Sequence, residues 1–155
     1  MKVALVYASK SGNTKELVEL LYNFINIHPI NVNIYCVNEF PITQIKQFDA
    51  IIIGTYTWGN GDIPHEMVPL YQAFENQEVK RIVTGVVGTG DSFYPKFCGA
   101  VDVFKDMLFV CTDLAVTMKV ELRPQVGDLN KCMRFVDLLL ERLKQDKTLS
   151  ELQHN

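Results

Sequence analysis

The sequence predicts an α/β domain in which an open, five-stranded parallel sheet carries helices on both faces. Strand-like runs recur at 2–8, 31–37, 49–55, 81–87 and 114–122, each rich in Val, Ile and Leu as sheet interiors require. Segments with apolar residues at helical spacing lie between most of them, at 14–27, 65–75, 97–110 and 128–145. Strands that are apolar along most of their length, joined by helices, belong to parallel sheets covered on both faces with right-handed crossovers.

Each element has its own warrant. In 2–8 (KVALVYA) the apolar residues cluster as in a buried strand, and in 14–27 Leu17, Leu20, Leu21 and Phe24 fall on one helical face. The second crossover, 42–48 (ITQIKQF), is too short for more than a turn or two. His65 is expected to begin the helix over 65–75. The last helix is amphipathic, with Leu129, Cys132, Phe135, Val136, Leu139, Leu140 and Leu143 on one side. One domain is expected over 1–147, followed by a polar tail, 148–155, with fraying from about Leu143 onward.

Composition excludes several classes. At 155 residues and 48% hydrophobic the chain suits one domain. It has no charge-depleted span of the ~18 residues needed to cross a membrane. No basic and apolar leader precedes the first strand, so a cytoplasmic protein is expected. Cys36, Cys98, Cys111 and Cys132 form no CxxC pair and read as reduced core thiols. A net charge of −3 argues against nucleic-acid binding and suits a basic protein partner. His28, His65 and His154 do not cluster into a catalytic or metal-binding set, and no nucleophile has an adjacent base.

The chemistry is expected at the carboxyl ends of the strands, where ligands of open α/β sheets sit. After the first strand comes SKSGNT (9–14), a turn into a helix. Such a turn aims unpaired backbone N–H groups and the positive end of the helix dipole at one point, and Ser9, Ser11, Asn13 and Thr14 add donors. That is a phosphate site. After the third strand comes TYTWGNGDIP (55–64), and after the fourth GTGDSFYPKFCGA (88–100). Both are glycine-rich and both carry aromatic residues, Trp58 and Tyr94. A planar ligand with a phosphate tail fits this arrangement, its phosphate on 9–14 and its ring between the two aromatics. Flavin mononucleotide (FMN) has that shape.

With these residues in view the chain resembles the flavodoxins, of the short-chain type, because the fifth strand runs on without a long insertion. The resemblance extends from the first strand to the last helix. It rests on S-K-S-G-N-T (9–14), T-W-G (57–59), and G-D-S-F-Y with F-C-G-A-V-D (90–94 and 97–102). It implies a flavodoxin-like sheet in the order 2-1-3-4-5. It further implies that Ser9, Ser11, Asn13 and Thr14, with backbone amides of 10–14 including Lys10 and Gly12, hold the phosphate. Thr57 then lies near the ribityl chain, with Trp58 on one flavin face and Tyr94 on the other. Backbone around Gly90, Asp91, Lys96 and Cys98 meets the pyrimidine edge, and Gly59 and Asn60 face the flavin N5. Thr55, Tyr56, Gly61, Gly88, Thr89 and Phe97 complete the expected cofactor site. Two positions depart from the family. Lys10 either helps an anion or points to solvent, and solvent is the expectation; Tyr56 stands where the family often has a small residue.

Other phosphate-binding sheets fit less well. A P-loop needs GxxxxGK[ST], and Gly59 is followed by Asn60 rather than Lys. Gly88-Thr89-Gly90 lacks the third glycine of a dinucleotide fingerprint, having Phe93 there. A response-regulator receiver needs acids where this chain has Ser9 and Thr55.

The resemblance implies a low-potential one-electron carrier, not an enzyme, that shuttles electrons between a reductase and acceptor enzymes through semiquinone and hydroquinone states. A dianionic phosphate, Asp91 and an acidic chain oppose the anionic hydroquinone, while a carbonyl at Gly59–Asn60 can meet the protonated N5 of the semiquinone. Its partners are a flavodoxin/ferredoxin NADP reductase-type donor and redox acceptor enzymes, bound transiently by a monomer, with no nucleic acid and no membrane. Asp62, Glu66 and Asp91 either steer basic partners or are simply solvated. The alternatives are an FMN-dependent NAD(P)H:quinone or nitro reductase, and a non-redox binding module that has lost the flavin.

Overall fold

A computed structural model describes residues 1–154. In chain order the elements are β1 (Lys2–Tyr7), α1 (Asn13–Asn26), β2 (Asn31–Cys36), β3 (Ala50–Tyr56), α2 (Val68–Asn76), β4 (Val83–Gly90), α3 (Gly99–Cys111), β5 (Asp113–Glu121) and α4 (Leu129–His154). Short 3-10 turns at Val37–Glu39, Ile42–Gln47, His65–Met67 and Val126–Asp128 fill the connections. The strands form one parallel sheet in the order β2-β1-β3-β4-β5, as expected.

The two sheet faces bury different side chains because successive residues of a strand point to opposite sides. In β3, Ile51 and Ile53 face one cluster with Leu70, Phe74, Phe104 and Leu108, beneath α2 and α3. Ala50 and Ile52 face the other, with Leu17, Leu21, Phe135 and Leu139 beneath α1 and α4. Every residue from Ala50 to Thr55 is buried, so β3 is the spine of the sheet. Burying each large aliphatic side chain is worth about 1.5–3 kcal/mol.

Several sequence boundaries need correction. The helix expected over 65–75 opens with a 3-10 turn at His65–Met67 and is α-helical only from Val68. β4 runs on through Gly88, Thr89 and Gly90, which read as loop, because these residues pair with β5 as far as Gly90↔Glu121 and with β3 at Tyr56↔Thr89. The helix expected from 97 starts at Gly99, after Cys98 takes the left-handed backbone at φ 51°. The last helix, expected over 128–145, continues as α4 to His154. Asn155 lies outside the described residues. The tail has neither Gly nor Pro to stop the helix, and Lys, Gln, Leu and Glu favour it.

The extension of α4 is tied to the amino-terminal end of the sheet. Arg142 donates to the Asp113 carboxylate and, at 3.3 Å, to the Leu114 carbonyl. Asp146, one turn on, stands beside the same Asp113. Burial first, then the hydrogen bond and charge of Asp113, push Asp146 up to about 6, against a pull downward from Arg142. The folded protein therefore holds this proton more tightly than the unfolded chain, whose ordinary value is 3.8. The contribution is complete below about pH 4 and is lost as pH rises through about 6. Asp146→Asn, which cannot ionise, is expected to be more stable than the wild type at about pH 7, the gap closing by about pH 4. Urea unfolding of both proteins across that range checks this, and a gap independent of pH would contradict it.

Candidate functional site

β1, β3 and β4 end side by side, and the segments leaving their carboxyl ends enclose a cavity of about 660 Å³. Small-molecule sites typically span about 300–1,000 Å³.

The turn after β1 is braced by its own hydroxyls. Ser9 Oγ accepts the amides of Gly12 at 3.1 Å and Lys15 at 3.3 Å, and Ser11 Oγ accepts that of Asn13 at 3.4 Å. Gly12 caps α1 at φ 94°. Lys10, Ser11 and Asn13 line the cavity, whereas Ser9 braces the turn and Gly12 is exposed. Thr14 is buried, and its hydroxyl shares a hydrogen bond of 2.8 Å with that of Thr89, tying the start of α1 to the end of β4. Lys10 is exposed, as expected, and its Nζ lies 4.6 Å from the centroid of the Trp58 ring.

The loop after β3 is pinched at its base. Trp58 and Asp62 exchange two backbone hydrogen bonds of 2.8 Å, leaving Gly59-Asn60-Gly61 as the tip. Gly59 and Gly61 have φ of 53° and 97°, a region that costs glycine little. Tyr56, Thr57 and residues 58–61 line the cavity, but Thr55 is buried and donates its hydroxyl to the Tyr56 carbonyl at 2.7 Å. Tyr56 donates to Glu66 Oε1 at 2.8 Å; burial first, then that bond, push its phenol up to about 12. Of the three acids considered for steering, Glu66 is thus engaged, Asp91 Oδ1 accepts the Phe93 amide at 2.9 Å, and Asp62 is exposed.

The loop after β4 is built against the loop after β3. Thr57 Oγ1 accepts the Ala100 amide at 3.2 Å. A Cβ on Gly99 would stand 2.7 Å from the Gly61 Cα, so the two backbones touch. Thr89, Gly90, Asp91, Tyr94 and Cys98 line the cavity. Gly88 instead lies buried under Val101, and Phe97 turns away to pack on the core beneath α2 and α3. Burial pushes the Cys98 thiol up to about 11, so it is neutral at physiological pH and offers no thiolate. The rim aromatics are open to solvent, Trp58 at 42% and Tyr94 at 67% exposure.

The sequence reading missed Pro95 and Leu122 as lining residues, and Lys96, which it named, lines the cavity too. Leu122 follows β5, sits at φ 55° and donates its amide to the Gly90 carbonyl at 2.7 Å. The available signal was an apolar residue just past the carboxyl end of the strand next to β4.

This architecture agrees with comparisons to known proteins. The flavodoxin family model matches residues 5–135. The chain is 31% identical over 137 residues to "Probable flavodoxin 1" of Bacillus subtilis, covering 86% of this chain and 87% of that one. The crystal structure of oxidised flavodoxin 1 from Bacillus cereus superposes with a TM-score of 0.84 at 31% identity, over 91% of this chain and 98% of that one. The chain belongs to the flavodoxin family. Flavodoxins bind FMN and are electron-transfer proteins with redox partners, rather than enzymes. The chain is also 32% identical over 109 residues to a segment of the sulfite reductase [NADPH] flavoprotein alpha-component of Photorhabdus laumondii, covering 68% of this chain and 18% of that protein.

The donor set of this flavodoxin fits FMN. Hydroxyls, the Asn13 amide and the first turn of α1 suit a phosphate, and two rings at one mouth suit an isoalloxazine. Because Gly61 and Gly99 touch backbone to backbone, Gly99→Ala is expected to push the aromatic loops apart and weaken FMN binding about tenfold, equivalent to about 1.4 kcal/mol. Titration of the apoprotein followed by flavin fluorescence measures this; unchanged affinity in a folded variant would show that the contact does not set the spacing.

Proposed function

We propose that this flavodoxin transfers electrons singly, as a cytoplasmic monomer. It takes them from a flavodoxin/ferredoxin NADP reductase-type donor and passes them to acceptor enzymes. Within the site, the residues proposed to hold the cofactor are Lys10, Ser11 and Asn13 at the phosphate, and Trp58 and Tyr94 at the ring. The bound flavin supplies the redox chemistry.

The observation that carries the one-electron reading is the tip at Gly59–Asn60. Its base is fixed by the paired hydrogen bonds of Trp58 and Asp62, while a Cβ on Gly59 would find nothing nearer than Asp62 Oδ2 at 3.8 Å. The tip peptide therefore has room to present either its N–H or its carbonyl to the cavity. A carbonyl so presented favours a protonated ring nitrogen, a bare N–H an unprotonated one. One such net hydrogen bond, about 1 kcal/mol and more when desolvated, separates successive one-electron potentials.

Transient partners are supported by the open mouth and by a net charge of −3, which favours encounter with basic surfaces. A donor linked to NADPH is supported by the likeness to a segment of an NADPH sulfite reductase flavoprotein. Among the described residues no helix is long and apolar enough to cross a membrane, in keeping with the proposed location.

Stepwise anaerobic reduction of the FMN-loaded protein tests the reading. Two resolved steps are expected, with a long-wavelength absorbance band at half reduction, and Gly59→Ala is expected to diminish that band. At φ 53° an alanine costs about 1–2 kcal/mol and narrows the turns open to the peptide. Reduction in a single two-electron step, with NADH-driven turnover of a quinone, would instead indicate a reductase.

A further inference from the structure

We propose that Lys10 sets the preference of this protein for a phosphorylated flavin over an unphosphorylated one. It does so by lying across Trp58 until an anion in the turn draws it away. The inference rests on the reading of the cavity as the FMN site. Lys10 belongs to the phosphate turn by sequence, flanked by Ser9 and Ser11, yet its ammonium is 4.6 Å from the Trp58 centroid. Both residues line the same cavity, so the ammonium lies where a planar ring has to stack.

The contact is well placed to be exchanged. The salt bridges among the described residues engage Lys105, Lys119, Arg123 and Arg142 and leave Lys10 without a carboxylate. Trp58 also has the His65 ring beside it, at 6.3 Å and 58°, which helps hold the indole in place when the lysine leaves. A cation over an exposed indole shifts an equilibrium by about two- to five-fold. A neutral flavin has to displace that cation and gives it nothing in return. A phosphorylated flavin brings a dianion to the turn that carries Lys10, and the ammonium exchanges the ring for the stronger Coulomb partner. One side chain thus couples the two ends of the ligand.

The test compares wild type, Lys10→Met and Lys10→Arg as apoproteins, each titrated with riboflavin and with FMN and followed by flavin fluorescence. Trp58 is the only tryptophan in the chain, so its emission reports the contact directly. Riboflavin is expected to bind Lys10→Met about two- to five-fold more tightly than wild type, with no matching gain for FMN. Lys10→Arg, which keeps a cation able to stack on the indole, is expected to behave as wild type. Inorganic phosphate is expected to shift Trp58 emission in the wild type but not in Lys10→Met. Riboflavin affinity that is unchanged or weaker in Lys10→Met would overturn the role of Lys10, as would an equal gain for FMN. Failure of the wild type to bind FMN at all would instead overturn the reading of the cavity, and the proposal with it.

Discussion

A parallel sheet buries both faces only if its crossovers lie on both sides, and in this chain the crossovers diverge between β1 and β3. From β1 the chain leaves through α1 on one face to reach β2; from β3 it leaves through α2 on the other to reach β4. The carboxyl ends of these adjacent strands are therefore not capped by a shared helix, and a crevice opens between them. The cavity of about 660 Å³ sits there. The burial of β3 from Ala50 to Thr55 is what makes the platform rigid enough to hold loops in register.

Two sets of contacts turn that crevice into a site. The Thr14–Thr89 hydroxyl pair joins the phosphate turn to β4, across 75 residues of sequence. The Gly61–Gly99 contact and the Thr57–Ala100 hydrogen bond join the two aromatic loops. The turn and both loops are thus parts of one linked structure. Leu122 adds β5 to the same assembly through its bond to Gly90. Electrostatics follow this division. The acids Glu66 and Asp91 are occupied with local bonds, the thiol of Cys98 is neutral, and Lys10 is held over the Trp58 ring.

The sheet was legible because strand and helix periodicity are local and repeat along the chain. The phosphate turn was legible because small hydroxyl and amide side chains before a helix have few other uses. Errors fell where a residue's role depends on a distant neighbour. Gly88-Thr89-Gly90 read as loop by composition, yet pairing on both sides makes it strand. Thr55 and Gly88 are buried among neighbours far along the chain, and Phe97 packs against the core beneath α2 and α3. The last helix read as ending at 145 from the polarity beyond it, although neither Gly nor Pro follows and α4 runs to His154.

By itself the sequence determined the fold class, the strand order through its likeness to flavodoxins, and the three loops that meet at the site. These depend on which residues are apolar and at what spacing, quantities a single chain displays openly. Tertiary structure alone decided which side chains of those loops face the cavity and which brace it. It set Ser9 and Thr14 to the frame, Phe97 to the core, Leu122 to the rim and Lys10 to the face of Trp58. The reason is that hydrogen bonds and close contacts between segments far apart in the chain choose among orientations that local preference leaves nearly equal in energy.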